Sequence, residues 1–328
     1  MDKNANAEKQ VPVEVLNKTL LAHLTRGTHA DIEKVAAASS YYTRVQLREN
    51  AFIYNILPVN GTTDDMFTRS LTHNKLSIIE ELEPESAGAK WVPFETVPEG
   101  QYIAGRFYEI PLARLITKEY TVDLDELRQY RSDIRKIITE NSLKDAEKEI
   151  DRKFIVDTVD KIVEDTVGGI NTAQKYTGKI QWASQAGGLT PENWAEAMKY
   201  MNMPSTFTGL EDKFILTNKI ALMNHVTAKD MLKWKHEDIG QEVATNVDKG
   251  LVRSRLMGIT LLFTIKSSIV PDNTVYFFPA PEFIGKAYEV YGWTTYMEKK
   301  MYFVKSVSYW LGGAAIGNVA APVKVEFT

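Results

Sequence analysis

The chain has 328 residues, 44% hydrophobic and 25% charged, with a formal net charge of −4, the profile of a soluble globular protein of one large or two to three smaller domains. It holds no Cys, which excludes disulfides, thiolate metal centres and thiol nucleophiles together. No apolar window is long enough to span a membrane, the polar start MDKNANAEKQ lacks the apolar core of a secretory signal, and the mild acidity gives no general attraction to nucleic acid.

Residues 1–30 are polar apart from Leu16, Leu20, Leu21 and Leu24. A helical pattern follows over 31–55, through Ile32, Val35, Ala36, Val45, Leu47 and Phe52, until Pro58 and Asn60-Gly61 break it with a turn. This section has too few large apolar residues for a core of its own and reads as an arm that packs on something else. From Leu76 to Leu82 the chain is extended, and a polar turn from Glu83 to Gly88 follows. A second extended run carries Tyr102, Ile103, Phe107, Tyr108, Ile110 and Leu112, and 115–122 alternate with period two. A long two-stranded excursion of this kind is marginal by itself in water. It needs a neighbouring subunit or domain to lie on.

The stretch from Leu124 to Val167 organises the rest. It contains no Gly and no Pro, and Leu124, Leu127, Ile134, Ile137, Ile138, Ala146, Ile150, Phe154, Ile162 and Val163 recur at helical spacing. Asp123 and Glu126 offer a capping box, and Gly168-Gly169 closes the run. One helix of this length would reach roughly 65 Å. Glu140 with Lys144, Glu149 with Lys153 and Asp157 with Lys161 stand at i,i+4. Asn141-Ser142 is the run's weakest point, where Ser142 with Asp145 could start a new helix, and whether the run bends or splits there is left open. The apolar stripe is expected to lie on a sheet formed by 115–122 and a late ribbon.

Beyond a polar loop over 171–188, Thr190 and Pro191 begin a helix carrying Trp194, Met198 and Met201. A short strand is expected over 214–217, an amphipathic helix over 219–234, and an alternating strand from Ile259 to Ile265. Pro271-Asp272-Asn273 is a turn, and Val275 to Phe278 a strand. Two extended runs, 287–297 and 300–311, make a ribbon, and Val323, Val325 and Phe327 close the chain as a strand. Twelve of the 34 aromatic residues fall between Tyr276 and Trp310. With no enrichment of Lys or Arg among them they read as buried strand faces, against a base-stacking platform. The class is α+β with a helical spine.

Motifs for chemistry are scarce. His23, His29, His73, His225 and His236 are scattered, with no zinc-binding spacing. There is no phosphate-binding glycine loop and no nucleophile elbow; Gly187-Gly188 and Gly312-Gly313 read as turns. Glu80, Glu81, Glu83 and Glu85 could hold a divalent cation only if their oxygens converged, whereas alternate residues of a strand face opposite sides. No catalytic, cofactor or metal residues are assigned.

The order of these elements resembles the major capsid protein of tailed bacteriophages with the Hong Kong 97-type fold. Arg114 to Tyr120 leading into the spine, Glu149 to Phe154 within it, Gly168-Gly169, Val275 to Pro279, Pro281 to Gly285 and Ile316 to Val319 carry the resemblance. It implies an N-terminal arm over 1–62 and an extended loop (E-loop) over 72–120. It implies a peripheral domain over 121–188 and 287–313, and an axial domain over 189–286 and 314–328. The implied function is structural: hexamers and pentamers of an icosahedral shell around double-stranded DNA, bound without sequence specificity, in the virion, after assembly in the host cytoplasm. No cofactor or membrane is implied. A cleaved scaffolding segment is absent here, so a separate scaffolding protein is expected, beside a portal and, left open, a decoration protein. Lys75 and Lys90 lie in the extended loop but align with no cross-linking site. The competing readings are an encapsulin-like compartment shell and a metal-dependent enzyme using Glu80 to Glu85.

Overall fold

The computed structural model describes residues 48–69, 76–83, 91, 100, 105–123, 134–167, 182–202, 217–234 and 253–328. In chain order the elements begin with helix α1 (Ile53–Ile56) and strands β1 (Val59–Gly61), β2 (Phe67–Arg69), β3 (Leu76–Leu82), β4 (Arg106–Pro111), β5 (Ala113–Ile116) and β6 (Tyr120–Asp123). Helix α2 (Ile134–Phe154) runs into a π-helical turn (Ile155–Val159) and then α3 (Asp160–Val167). Strand β7 (Trp182–Gln185), helix α4 (Pro191–Asn202), strand β8 (Ile220–Asn224) and helix α5 (His225–Ala228) follow. The chain ends with β9 (Arg253–Leu256), β10 (Ile259–Thr264), β11 (Thr274–Phe278), β12 (Gly285–Lys300), β13 (Phe303–Ile316) and β14 (Val323–Phe327). The expected arm up to 47, the start of the spine at 124–133, Gly168-Gly169 and the expected strand over 214–216 lie outside the described residues.

The chain divides into two compact units. Among the described residues, one comprises 48–50 with those of 114–148 and 291–310. Within it β6 runs antiparallel to β13, with Phe303 opposite Asp123 and Ser306 opposite Tyr120. Thr117 ties in between, its amide donating to the Ser308 carbonyl at 2.8 Å and its hydroxyl accepting from the Ser308 amide at 2.9 Å. Trp293 and Trp310 stack across the ribbon at 6.4 Å. The ribbon forms as expected, with its turn at Met301-Tyr302 rather than before 300 and with both outer ends longer, at Gly285 and Ile316. The alternating run 115–122 is two short strands rather than one, interrupted at 117–119.

The second unit comprises 51–113, 149–290 and 311–328. Its frame is a six-stranded mixed sheet in the order β7-β14-β11-β8-β10-β9. All five residues of β8 and of β11 are buried, because helices cover both faces. On one face Val275 and Phe277 join Trp194, Ala197, Met231, Val323 and Val325 in the main core, with the Trp194 and Phe277 rings 5.2 Å apart. On the other face Phe154 stacks on Phe278 at 6.1 Å, and the Tyr276 hydroxyl donates to Asp160 at 2.8 Å. Thr190 starts α4 as expected, its hydroxyl accepting from the Asn193 amide at 3.2 Å.

Several sequence expectations need correction. The helix expected over 219–234 is strand β8 followed by two short helical turns: Ile220 to Met223 is an apolar run inserted between β10 and β11, and Asn224 caps α5 by accepting from the Val226 amide. A continuous apolar run of that length reads equally as buried helix or buried strand. The polar loop over 171–188 contains β7, which adds to the sheet edge beside β14. Of the helix pattern expected over 31–55, residues 48–55 are described, and α1 lies there at Ile53–Ile56. From Ile150 onward the spine packs on the six-stranded sheet, where Tyr276 and Phe278 offer a second face, a surface that the sequence reading did not give it.

The run is not split at Asn141-Ser142, its weakest point in the sequence: α2 continues through it, with the Ser142 hydroxyl donating to the Ile138 carbonyl at 2.8 Å. The irregularity sits at Ile155–Val159. There the Thr158 hydroxyl donates to the Lys153 carbonyl at 3.3 Å. Of the expected i,i+4 pairs, Asp157 and Lys161 stand 3.8 Å apart, while Glu149 pairs with Arg152.

Candidate functional site

The carboxylates singled out in the sequence do not converge. Strand pairing places Glu80 opposite Tyr108 and Glu81 opposite Phe107, so consecutive residues face opposite sides of the three-stranded sheet β2-β3-β4. Glu83 is exposed, and Glu85 lies outside the described residues. Among the described residues no three His, Asp or Glu side chains come together. His225 is exposed, and the other four His lie outside the described residues.

Glu80 instead holds the base of the excursion in place. Its carboxylate accepts from the Lys286 ammonium at 2.7 Å and from the Tyr288 hydroxyl. Burial opposes its charge, but these two hydrogen bonds and the nearby ammonium outweigh burial and hold the carboxyl below its ordinary range. The same environment acts on the phenols: burial, then Glu80, pushes Tyr108 and Tyr288 each up to about 12. Beside this polar contact Ile78, Ile110, Leu112 and Tyr288 form a small apolar core.

Glycines bring the backbones close enough for that. A Cβ on Gly313 would lie 2.4 Å from the Pro111 carbonyl oxygen, and one on Gly317 would lie 2.7 Å from the Tyr108 ring. Gly312-Gly313, read in the sequence as a turn, therefore lies inside β13, where small size admits the neighbouring chain. Gly187-Gly188 does form a turn, both residues having positive φ.

With its inner face fixed, the excursion's outer face carries exposed apolar residues among carboxylates. Phe107 is 71% and Ile79 48% exposed, with Pro111, Glu81 and Glu109 on the same side. In the other unit the ribbon ends in a second such surface: Met301 is 83% exposed, followed by the exposed Tyr302 and Phe303, with Tyr291 and Tyr296 behind them. The expectation that the late aromatics are buried strand faces holds for Tyr276 to Phe278, Tyr288 and Trp310 but not for Phe283, Tyr291, Tyr296, Tyr302 and Phe303. Exposed apolar patches of this kind mark interaction surfaces.

Sequence reading missed a buried charge pair. Asp151 is fully buried, and its Oδ2 lies 2.5 Å from Lys266 Nζ, itself only 6% exposed. The same carboxylate accepts from the Phe52 and Ile53 amides at 3.2 and 3.1 Å. Burial outweighs the Lys266 charge and these bonds and pushes Asp151 up to about 6. In sequence Asp151 looks like one more charge on a charged helix. Its position, one residue after Ile150 and three before Phe154, was the available signal.

No protein-family pattern matches the sequence, and no curated protein does either. Solved structures do match. The capsid of a native GTA particle aligns over 88% of this chain and 94% of its own, at 15% identity and a TM-score of 0.58. The capsid of cyanophage P-SCSP1u aligns over 89% and 92%, at 9% identity and 0.59. The mature capsid of bacteriophage PhiM1 aligns over 88% and 91%, at 9% identity and 0.56. The fold is the α+β Hong Kong 97-type capsid fold.

Proposed function

We propose that this chain is the major capsid protein of a tailed double-stranded DNA phage, assembling as hexamers and pentamers of an icosahedral shell. The observation that supports this reading is likeness in fold to phage capsids over nearly the full length of both chains. In this reading residues 1–62 are the N-terminal arm and 72–120 the extended loop. The peripheral domain comprises 121–188 with 287–313, and the axial domain 189–286 with 314–328. The role is structural, not catalytic. A separate scaffolding protein and a portal are the further partners, and DNA is enclosed without sequence-specific contacts.

Physical chemistry favours the same reading. Permanent interfaces commonly bury 2,000 Å² or more in total, and the uncovered excursion face and ribbon end supply apolar area for that. The two surfaces are different patches, so contacts between copies are head-to-tail, the type that closes into rings. Native mass spectrometry of the full chain tests this. Oligomers of five and six subunits are expected, and Phe107→Asp shifts them to monomer without unfolding the chain. A wild-type chain that stays monomeric under assembly conditions contradicts the proposal.

A further inference from the structure

Two exposed strand faces carry apolar side chains beside unpaired charge, and the charges are of opposite sign. On the excursion's outer face Glu81 is exposed next to Phe107, its cross-strand neighbour, and Ile79, two residues before it. Strand β5, which lies beside the ribbon strand β13, presents the converse. Arg114 and Ile116 stand on one side of it, both exposed, and Lys118, two residues further, is exposed as well. Thr117 between them turns to Ser308, bonding it through both amide and hydroxyl, and Ile116 is left 57% exposed. Among the described residues the side chains of Glu81, Arg114 and Lys118 have no ion-pair or hydrogen-bond partner. Glu119, adjacent to Lys118, is already paired with Lys305 of the same copy.

We propose that these patches are the two halves of one contact between copies: the outer face of one excursion lies on the β5 stripe of the next copy, with Phe107 against Ile116 and Glu81 between Arg114 and Lys118. The inference rests on the capsid reading and names the partner surface within it. The arrangement is that of an ordinary interface, an apolar centre with charges at its rim. No internal ion pair has to be broken to form it, and the planar guanidinium of Arg114 suits a carboxylate through two parallel hydrogen bonds. Neither patch can pair with itself. Two excursion faces would set Glu81 against Glu81, two stripes would set Arg114 and Lys118 against like charges, and like charges brought together oppose association. The signs therefore exclude a two-fold dimer through either patch and select the head-to-tail contact, the type that closes into rings.

Because the chain holds no Cys, an introduced disulfide reports the contact without background. The full chain carrying Glu81→Cys with Lys118→Cys, oxidised under assembling conditions, is expected to give a ladder of linked chains up to five and six on a non-reducing gel, and either Cys alone no ladder. Charge exchange is the second measurement. Glu81→Lys is expected to weaken association by about tenfold or more, and Arg114→Glu with Lys118→Glu to do the same. Combining all three restores association, because the new Lys then meets the new carboxylates of the next copy. A wild-type chain that forms rings, with no ladder in the Cys variant or no recovery in the triple variant, overturns this contact and leaves the capsid reading standing. A wild-type chain that stays monomeric overturns both.

Discussion

Lys266 is tolerable in the interior only because Asp151 stands beside it, and the reverse holds for Asp151. Breaking a buried pair by removing one partner costs more than replacing both. Lys266→Met alone should therefore lower unfolding stability by ~3–5 kcal/mol, and Asp151→Asn together with Lys266→Met should recover a large part of that loss. Urea unfolding of the three proteins measures it; equal losses in the single and double variants would contradict the coupling. At this scale the sequence was least legible. A buried Asp on a charged helix differs from its solvated neighbours only in what lies 115 positions away. Met257 hides in the same way. It holds φ 49 ahead of Gly258 in the two-residue turn between β9 and β10, where Asn-Gly would have announced the hairpin.

The spine's irregularity, by contrast, is written in its spacing. The buried positions Ser142, Ala146, Ile150, Phe154, Val159 and Val163 advance by four residues at each step except one of five, between Phe154 and Val159. The π-helical turn occupies that step, the extra residue being what a π-bulge inserts. The positions first used to trace the stripe passed from Phe154 to Ile162 and so missed both Ile155 and Val159. Asn141-Ser142 drew attention through weak propensity alone, and one back-bonded Ser inside a packed helix does not overcome its neighbours. Deleting Val156, which is 36% exposed, should convert the turn to regular α-helix while every buried position keeps a four-residue step. The deletion variant is expected to fold, with a melting temperature within several degrees of wild type. Loss of cooperative melting would show that the extra residue does more than align the stripe. Strands with clear alternation or aromatic content, β3, β10, β11 and the ribbon, were legible for the same reason: period and burial agree. Strand β8 was not, because a run buried on both faces has no period to read.

At the scale of the molecule, the architecture followed from the order of elements more than from any motif. An arm and an excursion that cannot bury themselves imply partners before any fold is known. The structure adds where the excursion is fixed and which side is left over. Glu80, Gly313 and Gly317 secure one face, and Ile79 and Phe107 remain in water on the other. Sequence reading had weighed Glu80 and its neighbours as a cation site and assigned none, with no sight of the Lys286 partner more than two hundred positions distant. The central claim is that this leftover face is covered by another copy of the chain. Cryo-electron microscopy of the particles formed by the full chain tests it most directly. The expected result is a closed icosahedral shell of five- and six-membered rings in which Ile79, Phe107 and Pro111 lie buried against the next subunit. A stable monomer, or a shell that leaves this face in water, would contradict it.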